Sequence, residues 1–131
     1  MKKNPKMTRI FYDELVNENR ITFIYTEHNQ FIAEGSLVFK NDDPEYTIPD
    51  KRVYLSHMIV KEEYRNRGIG HIIVDYLIDY AEHLGYEEIA LGVDADNFNA
   101  RHLYEKKGFT NVLRTEEDEY GKYVKLLKNI K

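Results

Sequence analysis

The chain has 131 residues, of which 42% are hydrophobic and 32% are charged, and these values are typical of one globular domain covering residues 1–131. The formal net charge of −4 argues against a nucleic-acid partner, because affinity for a phosphate backbone comes mainly from clustered Lys and Arg. The absence of cysteine excludes disulfides, and the absence of a long apolar run or a signal-peptide pattern argues against a membrane partner and indicates the cytoplasm.

The N-terminal third of the chain alternates polar segments with apolar, β-branched runs that predict strands. Its segments are a polar terminus at 1–8 that we expect to be loosely held, an unassigned run at 9–16, strands at 21–26 and 31–39, and a proline-containing loop at 41–51. The two strands predict an antiparallel hairpin, with His28 as an ordinary turn residue. The sequence of the loop at 41–51 suggests no functional site.

The centre of the chain predicts a strand, a helix and a second strand. Residues 53–60 are rich in strand-forming types, and apolar residues then recur from Ile69 to Leu84 at the spacing of one helix face. Gly85 is a plausible end for this helix, and residues 88–93 read as a short buried strand. A unit of this length predicts two parallel strands with the intervening loop at the carboxyl end of the first.

The C-terminal part predicts a short helix and a hairpin. Residues 94–99 offer several helix caps, and the helix at 100–107 would end at Gly108. The hairpin strands are predicted at 109–114 and 122–127. The acidic residues Glu116, Glu117, Asp118 and Glu119 between them read either as a solvated hairpin tip or as a patch that attracts a cationic amine.

The loop that precedes the long helix has the chemistry of an anion site. A helix N-terminus presents backbone N–H groups without intrahelical partners, and its dipole favours negative charge. Gly68 and Gly70 leave the main chain accessible, while Arg65 and Arg67 supply positive charge. This pattern predicts a phosphate or diphosphate ligand; the alternative is a tight turn with solvated arginines. Neither the Walker pattern nor the dinucleotide fingerprint matches.

Two motifs in this order resemble those of the GNAT superfamily of acyl-CoA N-acyltransferases. They are Tyr64-Arg65-Asn66-Arg67-Gly68-Ile69-Gly70 and, after Asn97, Leu103-Tyr104-Glu105-Lys106-Lys107-Gly108-Phe109. The resemblance implies a GNAT-like α/β fold, in which flanking helices cover a central mixed β-sheet (α+β) that contains a splayed pair of parallel strands. The N-terminal helical region would be shortened, since only residues 9–19 are available for it.

The resemblance also implies roles for individual residues. Main-chain groups of the central strand would pair with the pantetheine arm of CoA, and the amides of the loop would hold its diphosphate. Asn97 would lie near the reactive end of the cofactor, and Tyr104 would act as the general acid beside the thioester sulfur, unless it is an ordinary core tyrosine. The implied cofactor-binding residues are Met58, Ile59, Val60, Arg65, Asn66, Arg67, Gly68, Ile69, Gly70, His71, Asn97 and Tyr104.

The sequence departs from the family at the catalytic base. Many members carry a Glu where this chain has Gly92. His57 is the best substitute because imidazole titrates near neutrality, although a buried structural histidine is the alternative. Asp94 and Ser56, acting through water, are weaker candidates. The helical histidines lack convincing ligand spacing, so no metal is expected.

The predicted activity is acetyl-CoA-dependent transfer of an acetyl group to a primary amine by direct attack in a ternary complex. The acceptor would be a small-molecule or peptide amine, with a cationic one favoured, and the short N-terminal region predicts an open acceptor cleft or one completed by a second subunit. The alternative is a CoA-binding or acyl-CoA-binding sensor with weak catalysis. The sequence leaves the acceptor and the acyl length open.

Overall fold

The computed structural model describes residues 7–12 and 19–131, with side chains from residue 19 onward. The elements are β1 (Met7–Tyr12), β2 (Arg20–Glu27), β3 (Gln30–Val38), β4 (Arg52–Val60), α1 (Ile69–His83), β5 (Glu88–Asp94), α2 (Phe98–Lys106), β6 (Asn111–Asp118) and β7 (Gly121–Asn129). The described strands form one seven-stranded sheet in the order β1-β2-β3-β4-β5-β7-β6. The predicted mixed sheet is therefore confirmed, with α1 packed against β2, β3 and β4.

The β2–β3 hairpin is confirmed and turns through two residues. His28 and Asn29 have φ values of 52° and 64°, as a type I′ turn requires, and its twist matches that of the flanking strands. β1 pairs antiparallel with β2 from Met7 onward. The expectation of a loose terminus is therefore wrong for residues 7–8, while its remainder at 1–6 lies outside the described residues. The unassigned run falls partly in β1, and residues 13–18 of the N-terminal region also lie outside the described part.

The predicted parallel pair is confirmed, and its two strands separate after a short contact. β4 and β5 are paired in parallel from Arg52 with Glu88 to Tyr54 with Ala90. β5 continues to Asp94 against β7, and β4 continues to Val60 against β3. The sheet is thus split between the carboxyl ends of β4 and β5.

A β-bulge in β4 accompanies this split. Ser36 of β3 pairs with Ser56 of β4, and Glu34 pairs with Ile59. The two β4 residues between these pairs therefore lie opposite a single β3 residue, Gly35. His57, in the bulge, has a φ of 61°. A Cβ at Gly35 would lie 2.6 Å from Met58 Sδ, so only glycine allows the bulged strand to pack here. Bulges bend a strand and increase its twist, which favours the separation of β4 from β5.

Both helices end in the same glycine-dependent cap. After α1, Gly85 has a φ of 94° and Tyr86 N–H donates to the Ala81 carbonyl at 3.1 Å. After α2, Gly108 has a φ of 97° and Phe109 N–H donates to the Tyr104 carbonyl at 3.0 Å. This Schellman pattern confirms both predicted ends.

The C-terminal hairpin has longer strands than predicted. β6 extends to Asp118, and β7 begins at Gly121, so only Glu119 and Tyr120 form the tip. The prediction of a turn over 115–121 was wrong because pairing continues, with Glu116 opposite Tyr123. Among the described residues, no helix has the length and apolar character needed to cross a membrane.

Candidate active site

A cleft of about 600 Å³ opens where β4 and β5 separate. This volume lies within the range of small-molecule sites. Its walls come from β4, β5, α2, the loop before β4, and β7. The lining residues are Tyr46, Tyr54, Leu55, Ser56, His57, Met58, Ile59, Gly92, Val93, Asp94, Asn97, Ala100, Tyr104 and Tyr123.

On the cleft side, the β4 wall presents backbone that pairs with no strand of the described residues beyond Tyr54. Pairing with β5 stops at Tyr54, so the main chain beyond it is open to a ligand on this edge. Met58 and Ile59 line the cleft, and Ile59 is 42% exposed. Val60 does not line the cleft, and its carbonyl accepts a hydrogen bond from Arg65 Nε at 3.0 Å. The structure therefore brings two of the three predicted β4 residues into the site.

The predicted anion loop has the backbone geometry of an anion site. Asn66 and Gly68 have positive φ values of 64° and 80°, and Gly68 directly precedes α1. No acceptor in the described part of the chain meets the backbone N–H groups of residues 66–71. The dipole of α1 adds partial positive charge at the same place. These amides and the helix end together favour a negatively charged group.

Gly70 has a different role from Gly68. A Cβ at Gly68 would meet no atom within 4 Å, but the φ of this residue is unfavourable for any side chain. A Cβ at Gly70 would lie 3.3 Å from Leu103 Cδ2 of α2. Gly70 therefore allows α2 to approach the start of α1, and this brings the second motif beside the first.

The side chains around the loop are only partly free for a ligand. Arg67 lies 3.8 Å from a Glu27 carboxylate oxygen and 5.2 Å from the Tyr64 ring centroid.

Burial lowers the pKa of His71, and the positive charges of Lys107 and Lys106 lower it further. These lysines of the second motif add positive charge near the loop. We did not assign them from the sequence, because only the contact between α1 and α2 places them there.

Tyr104 lies on α2 and forms part of the cleft wall. It is 7% exposed, and its ring meets that of Phe109 edge to face at 5.9 Å. Burial raises the pKa of Tyr104 to about 12, with a smaller contribution from Tyr54. The phenol therefore keeps its proton at neutral pH and can donate a hydrogen bond to a ligand in the cleft.

Asn97 and His57 also line the cleft, in different environments. Asn97 caps α2, because its Oδ1 accepts a hydrogen bond from Ala100 N–H at 3.2 Å, which leaves its NH₂ group for another partner. The side chain of His57 is 57% exposed, and its Nε2 lies 3.7 Å from Glu34 Oε2. The alternative of a buried structural histidine is therefore wrong.

Tyr46 occupies the space above Gly92. A Cβ at residue 92 would clash with the Tyr46 hydroxyl, so Tyr46 in this position requires glycine at position 92. The Tyr46 ring stacks on Tyr54 with centroids 4.2 Å apart, and Lys125 Nζ lies 5.0 Å from its centroid. The sequence of the loop at 41–51 suggested no site, and in the structure this loop supplies a wall of the cleft through Tyr46.

Lys125 attaches the Tyr46 loop to the sheet. Its side chain is 4% exposed, and its Nζ lies 2.6 Å from Asp43, 2.9 Å from Glu45 and 2.9 Å from Glu116 carboxylate oxygens. Burial alone would lower the pKa of Lys125, but hydrogen bonds to these carboxylates raise it, so the amine stays charged. Because Glu116 is an ion-pair partner in β6, the four acidic residues do not form one solvated tip.

A split mixed sheet, a glycine-containing loop at a helix start and a buried tyrosine beside the cleft are the features that the resemblance to the GNAT superfamily led us to expect. The chain belongs to the acetyltransferase (GNAT) family, whose sequence model matches residues 2–109. Human N-acetyltransferase 8 is 35% identical over 68 residues, which are 52% of this chain and 29% of that protein. The chain therefore matches less than a third of the length of that relative.

Solved structures show the same fold. The ribosomal-protein-S18-alanine N-acetyltransferase from Escherichia coli superposes with a TM-score of 0.72 at 24% identity, covering 86% of this chain and 70% of that chain. An aminoglycoside 6'-N-acetyltransferase complexed with coenzyme A superposes with a TM-score of 0.72 at 18% identity, covering 90% of this chain and 77% of that chain. These likenesses establish the fold, and the acceptors named for those proteins are their own.

Proposed function

We propose that the protein is an acetyl-CoA-dependent N-acetyltransferase that transfers the acetyl group directly to a primary amine. The observation that carries this proposal is the run of backbone amides at 66–71 that have no partner among the described residues, together with a cleft that Tyr104 lines. Family membership supports acyl transfer, and one neighbour of the same fold was solved with coenzyme A.

In this proposal, the two ends of CoA are held by different elements. The amides and side chains from Arg65 to His71 hold the diphosphate, with Lys106 and Lys107 contributing charge. The open edge of β4 at Met58 and Ile59 pairs with the pantetheine amides as an added strand would. Val60 contributes less than the sequence predicted, because Arg65 already occupies its carbonyl. The free NH₂ of Asn97 lies toward the reactive end.

Tyr104 is the proposed general acid. Attack of the amine on the thioester carbonyl expels a thiolate, and a hydroxyl within hydrogen-bond reach can protonate or stabilise it. With a pKa of about 12, Tyr104 remains a hydrogen-bond donor at neutral pH. A thiol is more acidic than this phenol, the reference value for cysteine being roughly 8.5, so the thiolate does not strip the proton outright and donation of a strong hydrogen bond is the main contribution.

His57 is the proposed base for the incoming ammonium. Its exposed ring lines the cleft, where an unprotonated ring nitrogen can take the proton of the ammonium. Asp94 and Ser56, which also line the cleft, could act through water. Gly92 has no side chain to act as a base, and burial raises the pKa of Tyr46 to about 12, so Tyr46 stays neutral.

The proposed acceptor is a small-molecule or peptide amine, and a cationic one fits the acidic balance of the chain. We also propose that the described residues act as a single cytoplasmic domain and that a second subunit can complete the acceptor side. No metal takes part in the proposed reaction. Among the described residues, no group of three or more His, Cys, Asp or Glu side chains is placed to hold an ion.

The proposal is tested by thiol release from acetyl-CoA with a panel of amines, polyamines and peptide N-termini, alongside calorimetry with CoA. We expect CoA to bind and at least one amine to give steady thiol release. A protein that binds CoA and releases no thiol with any amine would instead be the sensor. The glycine at position 92 favours this second candidate, since it removes the base that many family members carry there.

A further inference from the structure

We infer that Tyr46 limits the length of the acyl group that the cleft accepts, so that the protein selects acetyl-CoA over longer acyl-CoA donors. The inference rests on the proposed function and deepens it by naming a specificity-determining residue for the donor. Tyr46 belongs to the loop before β4, which the proposed chemistry does not use.

The direction of the bound donor follows from the order of elements along β4. The anion loop follows the carboxyl end of β4, after Val60. A CoA molecule whose diphosphate lies in that loop, and whose arm pairs with β4, runs back along the strand toward Tyr54. The acyl group is the far end of this molecule. It therefore points toward the narrow end of the cleft, where pairing of Tyr54 with Ala90 closes the sheet.

Tyr46 stands at this narrow end. Its ring covers Tyr54 at a centroid distance of 4.2 Å and an interplanar angle of 20°. Its hydroxyl lies against Gly92 on the opposite wall. The side chain thus bridges the two strands just beyond the point at which they separate, and it fills the space that additional methylene groups of an acyl chain would need.

The contacts of Tyr46 make it a fixed wall. One face of the ring is covered by Tyr54, and Lys125 Nζ lies 5.0 Å from the ring centroid. Lys125 also holds Asp43 and Glu45, which lie just before Tyr46 in the sequence. A rotation of Tyr46 away from Gly92 would disrupt the stacked pair and the lysine contact. Long acyl chains should therefore be excluded, because Tyr46 cannot easily move aside.

The test is calorimetry with acetyl-CoA and hexanoyl-CoA on the full chain and its Tyr46→Ala variant. We expect the unmodified protein to bind acetyl-CoA about tenfold or more tightly than hexanoyl-CoA, since misfit methylene groups carry penalties of this order. Tyr46→Ala should reduce this ratio to about threefold or less. Tyr120→Ala, which removes an exposed tyrosine from the β6–β7 tip, is the matched control and should keep the original ratio.

Equal affinity of the unmodified protein for both thioesters, or an unchanged ratio in Tyr46→Ala, would overturn the inference. If a thermal melt shows that Tyr46→Ala is unfolded, Tyr46→Leu keeps an apolar contact with Tyr54 and should show an intermediate ratio; an unchanged ratio there also overturns it. The measurement needs no amine. Absent thiol release with normal chain-length selection would therefore refute the proposed transfer alone, whereas absent CoA binding would refute both.

Discussion

The packing of Tyr46 against Gly92 predicts that one substitution should have opposite effects in two backgrounds. A Cβ added at Gly92 would meet the Tyr46 hydroxyl, whereas the next Tyr46 atoms, Cζ and Cε1, lie at 3.4 Å and 3.7 Å. Tyr46→Phe removes the clashing oxygen and leaves contacts of ordinary length. Gly92→Ala should therefore be destabilising in the presence of Tyr46 and stabilising in the presence of Phe at position 46.

The magnitude follows from two opposing contributions. Forcing a methyl group into a packed site costs about 1–3 kcal/mol. Gly92 lies in β5 and has no positive φ, so alanine fits its backbone conformation. Alanine also restricts the unfolded chain, and this raises the free energy of unfolding by about 0.4–1 kcal/mol. We expect Gly92→Ala to lower the free energy of unfolding by about 1–2 kcal/mol when Tyr46 is present. In Tyr46→Phe, the same change should raise it by about 0.4–1 kcal/mol.

Urea unfolding of the unmodified protein, Gly92→Ala, Tyr46→Phe and the double variant measures these differences in the free energy of unfolding. In a thermal melt, the midpoint should shift by about 2–6 °C per kcal/mol. Tyr120→Phe is the control background, because it makes the same chemical change at an exposed site and should not reverse the effect of Gly92→Ala. If Gly92→Ala stabilises the protein equally in all backgrounds, Tyr46 swings freely, and the reasoning that makes it a fixed wall is refuted.

Three further predictions concern the chemistry of the site and its support. Tyr104→Phe should slow thiol release by about 100-fold and change CoA affinity by less than about threefold, because the phenol acts on the leaving sulfur. Stopped-flow measurements give the rate of thiol release, and calorimetry gives the affinity for CoA. Equal rates in the two proteins would remove Tyr104 from the mechanism. Bound CoA should raise the lowered pKa of His71, because a nearby diphosphate favours the imidazolium form. An NMR titration with and without CoA measures this change. An unchanged pKa of His71 at saturating CoA would place the diphosphate elsewhere. Hydrogen bonds from Lys125 lower the pKa of Asp43, Glu45 and Glu116 below their ordinary values of 3.8, 4.5 and 4.5. The stability that these carboxylates give to the folded protein is therefore present above pH 4.5 and is lost as the pH falls through the lowered values. Urea midpoints should fall with acidity over that range and should do so less steeply in Lys125→Met; parallel curves for the two proteins would contradict this account.

The elements that could be predicted from the sequence are those that short segments determine. The ends of both helices follow from Gly85 and Gly108, because each needs only a residue that adopts a positive φ directly after the helix. The strand, helix and strand around the anion loop follow from a change in hydrophobic period within one stretch of chain. In each case the relevant physics acts between near neighbours.

The wall formed by Tyr46 could not be predicted in this way. Lys125 and Asp43 are 82 residues apart, and their contact depends on the register of β7 against β5. In the sequence, Lys125 stands among apolar residues and carries no sign of its three carboxylate partners. The acidic residues near Glu116 looked like an exposed turn for the same reason, since the partner that draws Glu116 into β6 is recognised only after the sheet forms.

The cleft itself depends on a residue outside its walls. Gly35 leaves room for Met58 and for Ile73 of α1, and this space allows the bulge in β4. The bulge bends the strand and so favours its separation from β5, whose ladder with β4 ends at Tyr54. The same separation leaves space above Gly92, which the loop before β4 fills with Tyr46. One glycine in β3 thus underlies both the exposed edge proposed to bind the donor and the wall proposed to limit its acyl group.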